Sequence, residues 1–419
     1  MVEHKTKSLV KNVTPIKFQA KVFFLPCKAT IFLLKLLEKQ PMKKRLSLSL
    51  LFPALLFLAA CGPKATSQSD VDTPEYHYRA GMRYLDSEDF QSAIRSFQRA
   101  VDLDKKFALG WGGLGLSHGL MGDLKTGRKH MDKAIGEGKK NPEVRVLAGR
   151  LWIAHKADNK RWLKRAIDEF DTALKLERDN EAAVFWKGMA YMQNYDFSLA
   201  EAEFRTLVER KGEYAGRADD MWALSQKIVR AQPGTTAGKR IALKSKISRA
   251  DMTVLFIEEL KLTELFQRFM PQSPSAGFQT PGQAMNQSAP RTPGDVSGNW
   301  AEGWITEAMK LGVVEADPDG FFYPAESVTR AGYARAVARI LTMVTRDQSL
   351  ETRYFGENPS RFSDVSSSHF AYPAMALCSE RGIMKADLVT GGFQPTGNVG
   401  GADALLIIRS VQNSLRVTF

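Results

Sequence analysis

Three regimes of hydrophobic patterning follow one another along the chain. Leu46 to Ala60 is an almost unbroken apolar run behind Met42-Lys43-Lys44-Arg45. Pro53 interrupts it, and it is shorter than the roughly 20 residues a bilayer-spanning helix needs. From Pro74 to about residue 210 the apolar positions fall at helical spacing. Small residues recur within that pattern: Gly81, Gly115 and Gly149 are 34 apart twice over, and Gly188 comes 39 later. Past residue 294 two similar units appear, with Asp295 and Asp364 69 apart and Pro324 and Pro395 71 apart, each with a Gly-containing turn. Between these regimes lies a segment rich in Pro, Ser, Gln and Gly, marked by Pro271, Pro274, Pro281, Pro290 and Pro293. Such a composition cannot build a core and reads as a linker over 271–293. The pattern predicts an all-α protein, with a helix-pair solenoid over 74–214 and the C-terminal repeats after it.

The first apolar run has the layout of a secretory signal peptide, with a basic head, an apolar body and small residues at a cut site. It ends on Leu58-Ala59-Ala60-Cys61, which resembles the lipobox of bacterial lipoproteins. The resemblance implies cleavage before Cys61, lipidation of Cys61 and attachment to a membrane through the lipid. Residues 42–60 are then the signal, residues 61–73 a small, polar tether, and residues 1–41 an upstream stretch ahead of a start at Met42. Position 62 is Gly rather than Asp. By the same resemblance this favours the outer membrane, with the protein facing the periplasm.

The solenoid segment carries Trp111-x-x-Leu114-Gly115 and pairs of Ala-x3-Phe at Ala93/Phe97, Ala166/Phe170 and Ala200/Phe204; Gly127 and Met131 stand there in the second unit. Tyr84, Trp152 and Tyr191 supply an aromatic just after the recurrent glycine. Extra residues in the third unit fall around His155–Trp162. This resembles four tetratricopeptide repeats, whose period is 34 residues. One helix pair cannot bury its apolar face alone, so pairs stack and leave a concave surface. By the family's geometry Tyr78, Met82, Leu116, Arg150, Phe185 and Met189 face that groove, which implies a protein or peptide partner.

The last two units run from Asp295-Val296 through Asp319-Gly320-x-Phe322-x-Pro324 to Thr329-Arg330-Ala331, and from Phe362-x-Asp364-Val365 through Gly392-Phe393-x-Pro395 to Ala402-Asp403. They resemble S-layer homology repeats, placed at 294–346 and 360–415. Ile247-Ser248-Arg249-Ala250-Asp251 resembles the end of a third, degenerate copy over 215–265. Three copies suit the family, and the resemblance implies that they form a three-part, mainly helical bundle. A Thr or Ser cap followed by Arg sets a planar fork of donors at a helix N-terminus, fit for a carboxylate, pyruvate acetal or phosphate. The resemblance implies a wall-polymer site built from Arg249, Thr329, Arg330, Asp295, Trp300 and Asp364, with peptidoglycan or a secondary wall polysaccharide as ligand. Gly401 stands where a third arginine belongs, and Gly332 where the motif's acid belongs.

Charge changes this picture little. The formal net charge is +13, but residues 1–60 hold 11 Lys/Arg against 2 Asp/Glu, so most of the excess precedes Cys61. Nucleic acid is therefore not an expected partner. Cys27, Cys61 and Cys378 are the three cysteines. Cys378 sits in an apolar run and reads as a small core residue. His77, His118, His130 and His155 are scattered, and Asp317-Pro318-Asp319-Gly320 reads as a plain turn, so no metal or cofactor is expected. No nucleophile–base set, catalytic carboxylate pair or phosphate loop stands out. The expectation is a non-catalytic envelope lipoprotein that holds the wall and recruits a protein. The alternative is an assembly factor of a pilus, secretion or outer-membrane machine, with the C-terminal repeats as inert scaffold. Globomycin, which blocks lipoprotein processing, should leave a longer form in membrane fractions; a Cys61→Ser chain should not take up labelled palmitate.

Overall fold

The computed structural model describes residues 66–67, 69–269 and 292–415. Cys61, the signal segment and nearly all of the 271–293 linker lie outside that range. Among the described residues there are sixteen α-helices and no strand, the all-α class that the patterning predicts. None of these helices is long and apolar enough to cross a membrane.

Eight helices make four antiparallel pairs: α1 (Pro74–Asp86) with α2 (Phe90–Leu103), α3 (Ala108–Leu120) with α4 (Leu124–Glu137), α5 (Pro142–Ala154) with α6 (Trp162–Leu176), and α7 (Glu181–Gln193) with α8 (Phe197–Arg210). Local signals set their starts. Thr73, Asp89, Asp123, Asn141 and Asn180 each cap a helix by accepting a backbone N–H, the role short polar side chains fill at N-termini. The recurrent glycines work by absence. A Cβ on Gly81, Gly149 or Gly188 would come within 2.3–2.7 Å of the rings of Phe97, Phe170 and Phe204 respectively. All three phenylalanines are wholly buried. The second pair reaches the same closeness differently. A Cβ on Gly115 would lie 2.9 Å from the Gly127 carbonyl oxygen, and one on Gly127 would lie 2.8 Å from that of Gly115. There the two backbones touch, which is why Gly127 replaces the usual alanine.

The solenoid does not end where a domain boundary would be drawn. Lys211 closes α8 in the left-handed conformation, and the Tyr214 N–H binds the Glu181 carboxylate at 2.9 Å. The next helix, α9 (Ala215–Ala231), packs on α8 and also on the last helix of the chain, α16 (Gly401–Ser414). One hydrophobic core runs without a break from Val184 on α7 to Val411 on α16.

The C-terminal bundle adds α10 (Thr236–Ala242), α11 (Arg249–Glu258), α12 (Leu262–Phe269), α13 (Glu302–Lys310), α14 (Arg330–Thr345) and α15 (Tyr372–Glu380). Its centre is a closed ring of three backbone hydrogen bonds. Ile247 N–H donates to Val399 C=O at 2.9 Å, Val399 N–H to Val328 C=O at 3.1 Å, and Val328 N–H to Ile247 C=O at 2.9 Å. All three side chains are buried. Ile247, Val328 and Val399 each stand just before the cap of α11, α14 and α16. The degenerate segment that ends in Ser248-Arg249 thus takes a full third of the ring.

A polar hub locks the ends of the bundle to α9. The buried Glu259 carboxylate accepts from Gly234 N, Thr235 N and the Thr235 hydroxyl at 2.8–3.1 Å, and from Arg409 Nη2 at 3.1 Å. Arg409 also donates to the carbonyls of Ala231 and Gln232 at 2.8 and 2.7 Å, the orphan end of α9. Removing one partner of a buried charge pair costs roughly 3–5 kcal/mol, because the other charge is left uncompensated. Arg409→Ala should therefore lower the thermal midpoint of the whole Ser67–Phe419 unit; an unchanged midpoint by calorimetry would contradict the hub's role.

Candidate functional site

Each long helix of the bundle starts against the turn of the next repeat. Arg249 N and Ala250 N donate to the carbonyls of Glu326 and Pro324 at 2.8 and 3.0 Å; Arg330 N and Ala331 N donate to Gly397 and Pro395 at 2.7 and 3.0 Å; Gly401 N donates to Lys244 at 2.8 Å. The helix N-termini are thereby consumed by backbone, and the side chain at the first helical position is left in an inter-repeat groove.

Arg249 and Arg330 occupy matching places with matching supports. Arg249 Nη2 donates to Glu315 C=O at 3.1 Å and its guanidinium lies 4.8 Å over the Phe322 ring. Arg330 Nη2 donates to Lys385 C=O at 2.9 Å, its Nε to Phe393 C=O at 2.8 Å, and it lies 4.9 Å over the Phe393 ring. They differ in charge balance. Arg249 Nη1 pairs with Asp317 at 3.2 Å and with Glu326 at 3.9 Å. At Arg330 Gly397 replaces Glu326, and the exposed Asp387 accepts from Thr390 of its own turn at 2.7–2.9 Å. No carboxylate of the described residues lies within ion-pairing distance of Arg330. Burial pulls the Arg330 pKa down, against the more distant Asp403 and Asp364, so a bound anion would relieve it.

The third groove is closed. A Cβ on Gly401 would lie 1.8 Å from the Ile241 carbonyl oxygen, because α10 packs directly on α16. The missing arginine is a steric requirement of this packing. Gly332, where the acid is missing, has a different effect. In the first repeat that acid, Asp251, completes a capping box with Ser248 and pairs with Lys244 at 2.7 Å. Thr329 caps α14 alone, through Gly332 N at 3.1 Å. Gly332 then forms part of the wall of a groove of about 830 Å³ that also holds Arg249 and Thr329.

Two expected contact residues take another role. Asp295 accepts from Phe322 N and Tyr323 N at 2.7–3.1 Å, and Asp364 from Phe393 N and Gln394 N at 2.8 and 2.7 Å. Tyr323 and Gln394 have φ of 53° and 57°, a left-handed conformation costly for residues other than glycine. The aspartates therefore brace the turns that carry the arginines' carbonyl partners, and both carboxylates are spent on backbone. Trp300 is half-exposed, with Arg240 4.7 Å over its ring, and lines a separate open hollow with Lys244, Lys246 and Ser248. Sequence reasoning missed Arg335, Arg339 and Phe370, which share the large groove. Gly332, Arg335 and Arg339 have i, i+3, i+7 spacing, the signal that places them on one face of α14.

In the solenoid, Tyr78, Met82, Arg150 and Met189 are partly buried. Leu116 and Phe185 are core residues instead, 1% and 3% exposed. The glycine-rich α3 sinks so deep between its neighbours that Leu116 meets protein on all sides. Phe185 is enclosed by Trp186, Phe204 and Tyr214.

Two family models match these same regions. The S-layer homology domain matches residues 294–334 and 361–405, and the tetratricopeptide repeat matches 78–142 and 159–216. The chain carries both kinds of repeat. It is similar to a protein described as an uncharacterized cell wall amidase of Bacillus anthracis, 31% identical over 128 residues, which is 30% of this chain and 22% of that protein. It is also similar to the S-layer protein EA1 of Bacillus anthracis, 28% identical over 138 residues, 33% of this chain and 14% of that protein. The chain thus spans less than a quarter of either relative. Together the matches support a protein of the cell envelope with interaction repeats. Gly401→Arg, which would restore the family's residue, should destabilise the bundle by overpacking, by about 1–3 kcal/mol, and should add no polymer binding; a more stable protein in a thermal melt would overturn the steric reading.

Proposed function

We propose that the protein is a non-catalytic, lipid-anchored envelope protein that grips the wall through its S-layer homology repeats and presents a partner on its tetratricopeptide groove. Cys61 holds the lipid, and the outer membrane, periplasmic side, is the favoured location. The observation that carries the wall-binding half is Arg330: a partly buried guanidinium oriented by two carbonyls and an aromatic face, with no carboxylate of the described residues within ion-pairing distance. A fork held this way offers its remaining donors to a carboxylate, pyruvate acetal or phosphate on a wall polysaccharide or on peptidoglycan. Arg249, already paired with Asp317, serves as the weaker site, and Thr329 and Trp300 border the sugar-facing surface. The continuous core across α9 makes partner and wall two loads on one unit.

Non-catalysis is part of the proposal despite the amidase among the relatives. Cys378 is wholly buried, its Sγ–H faces the Ala334 carbonyl at 3.7 Å, and burial pushes its pKa up to about 12. A thiol in that state is neither ionised nor reachable. The alternative, an assembly factor whose C-terminal repeats are inert, gains from the closed third groove.

Co-sedimentation with purified sacculi separates the two readings. Charge-assisted contacts are worth about 1.5–3 kcal/mol, so Arg330→Ala should weaken binding roughly tenfold or more, and Arg249→Ala less. Sacculi stripped of attached polymer tell peptidoglycan from polysaccharide. If neither wild type nor either variant sediments with the sacculi, the wall-binding reading fails and the scaffold reading stands.

A further inference from the structure

The inner face of the solenoid holds two arginines that the fold leaves uncompensated. Arg150 on α5 lies 4.0 Å over the Trp186 ring on α7. Arg217, in the first turn of α9, lies 4.6 Å over Phe185 and 5.4 Å from the Tyr214 ring. Neither has a carboxylate within ion-pairing distance among the described residues. The contrast with their neighbours is direct. Arg145, also on α5, pairs with Glu169 at 3.0 Å, and Lys187, also on α7, pairs with Asp171 at 2.9 Å. Those cations are paired directly, whereas the acids nearest Arg150, Asp86 and Glu143, make no ion pair with it.

The site is shaped as well as charged. Stacking on a ring face fixes the guanidinium plane and leaves its edge donors free. Tyr78 on α1 donates its hydroxyl to Glu143 on α5 at 3.4 Å, which occupies the nearby acid with a neutral partner. Burial and the charge of Arg217 both lower the Arg150 pKa, against the fields of Tyr78, Asp86 and Tyr214. Two like charges held near each other on aromatic walls raise the energy of the empty groove, and an anion lowers it.

We infer that this groove binds an acidic peptide segment, whose carboxylates pair with Arg150 and Arg217 while its apolar side chains rest on Trp186 and Tyr214. A peptide fits better than a lone anion because the two arginines sit on different helices, α5 and α9, with α7 between them. The inference rests on the reading of the repeats as a protein-interaction surface and names the chemistry of the partner. α9 is also a wall of the C-terminal bundle, so the occupied groove is braced by the wall-binding half.

The test uses the chain from Cys61 onward with Cys61→Ser, and three fluorescein-labelled decapeptides that alternate Leu with Glu, Gln or Lys, followed by anisotropy. The Glu peptide should bind, with affinity falling steeply with salt. Arg150→Gln/Arg217→Gln should weaken it roughly tenfold or more, two charge-assisted contacts being lost. Arg150→Lys, which keeps the charge but not the fork, should lie between. Arg249→Gln/Arg330→Gln should bind like wild type, which separates this groove from the wall sites. The amidated Glu peptide shows whether side chains or the terminal carboxylate carry the contact. Equal binding of the Glu peptide by wild type and the double variant overturns the inference. Binding of the Gln or Lys peptide alone overturns it too, yet leaves the solenoid as a peptide site. Failure of all three peptides removes both readings.

Discussion

The bundle depends on one constraint: three chain segments, far apart in sequence, close a ring of backbone hydrogen bonds through Ile247, Val328 and Val399. Each of these residues has one N–H and one C=O to satisfy in a buried place, and none does so within its own repeat. The ring pairs them head to tail, so no repeat's centre is complete until the other two arrive. From each ring residue the chain passes through a cap into a helix, which puts Arg249, Arg330 and Gly401 in equivalent places at its first position.

Beyond the ring the grooves diverge through their local chemistry. The first is filled by its own acid, Asp317. The second keeps a lone guanidinium because Gly397 takes the place of an acid and Asp387 is spent on its own turn. The third is shut by α10, whose Ile241 carbonyl leaves no room for a side chain. The symmetric element is the scaffold, and the asymmetry comes from single residues on it. Asp295 and Asp364 belong to the scaffold: they hold Tyr323 and Gln394 in a left-handed turn, and the carbonyls that follow, of Pro324 and Pro395, accept from the start of the preceding repeat's long helix.

The link between solenoid and bundle is a shared helix. α9 closes the last tetratricopeptide pair, as stacked repeats require of a terminal element, and it is gripped at its far end by Arg409 and Glu259. Its carbonyl terminus, its apolar face and Arg217 at its start each serve a different neighbour. The last pair of the solenoid and the bundle thus share the same core.

Helical periodicity and recurring motifs together were enough for the all-α class, the four helix pairs and the two C-terminal units, because these depend on contacts within a repeat or between adjoining helices and leave a repeating imprint. The glycines at 34-residue spacing stated their purpose in advance, since a helix surface without Cβ atoms calls for a ring such as Phe97 against it. Arg249 and Arg330 were legible from the cap that precedes them. The tertiary structure decided the rest. It turned Leu116 and Phe185 inward, gave Asp295 and Asp364 to the backbone, paired Arg249 but not Arg330, and brought Arg150 and Arg217 onto one groove. Each of these turns on a partner distant in sequence, beyond the element that carries the residue. A repeat's own residues set its shape but carry no record of which neighbour will face it.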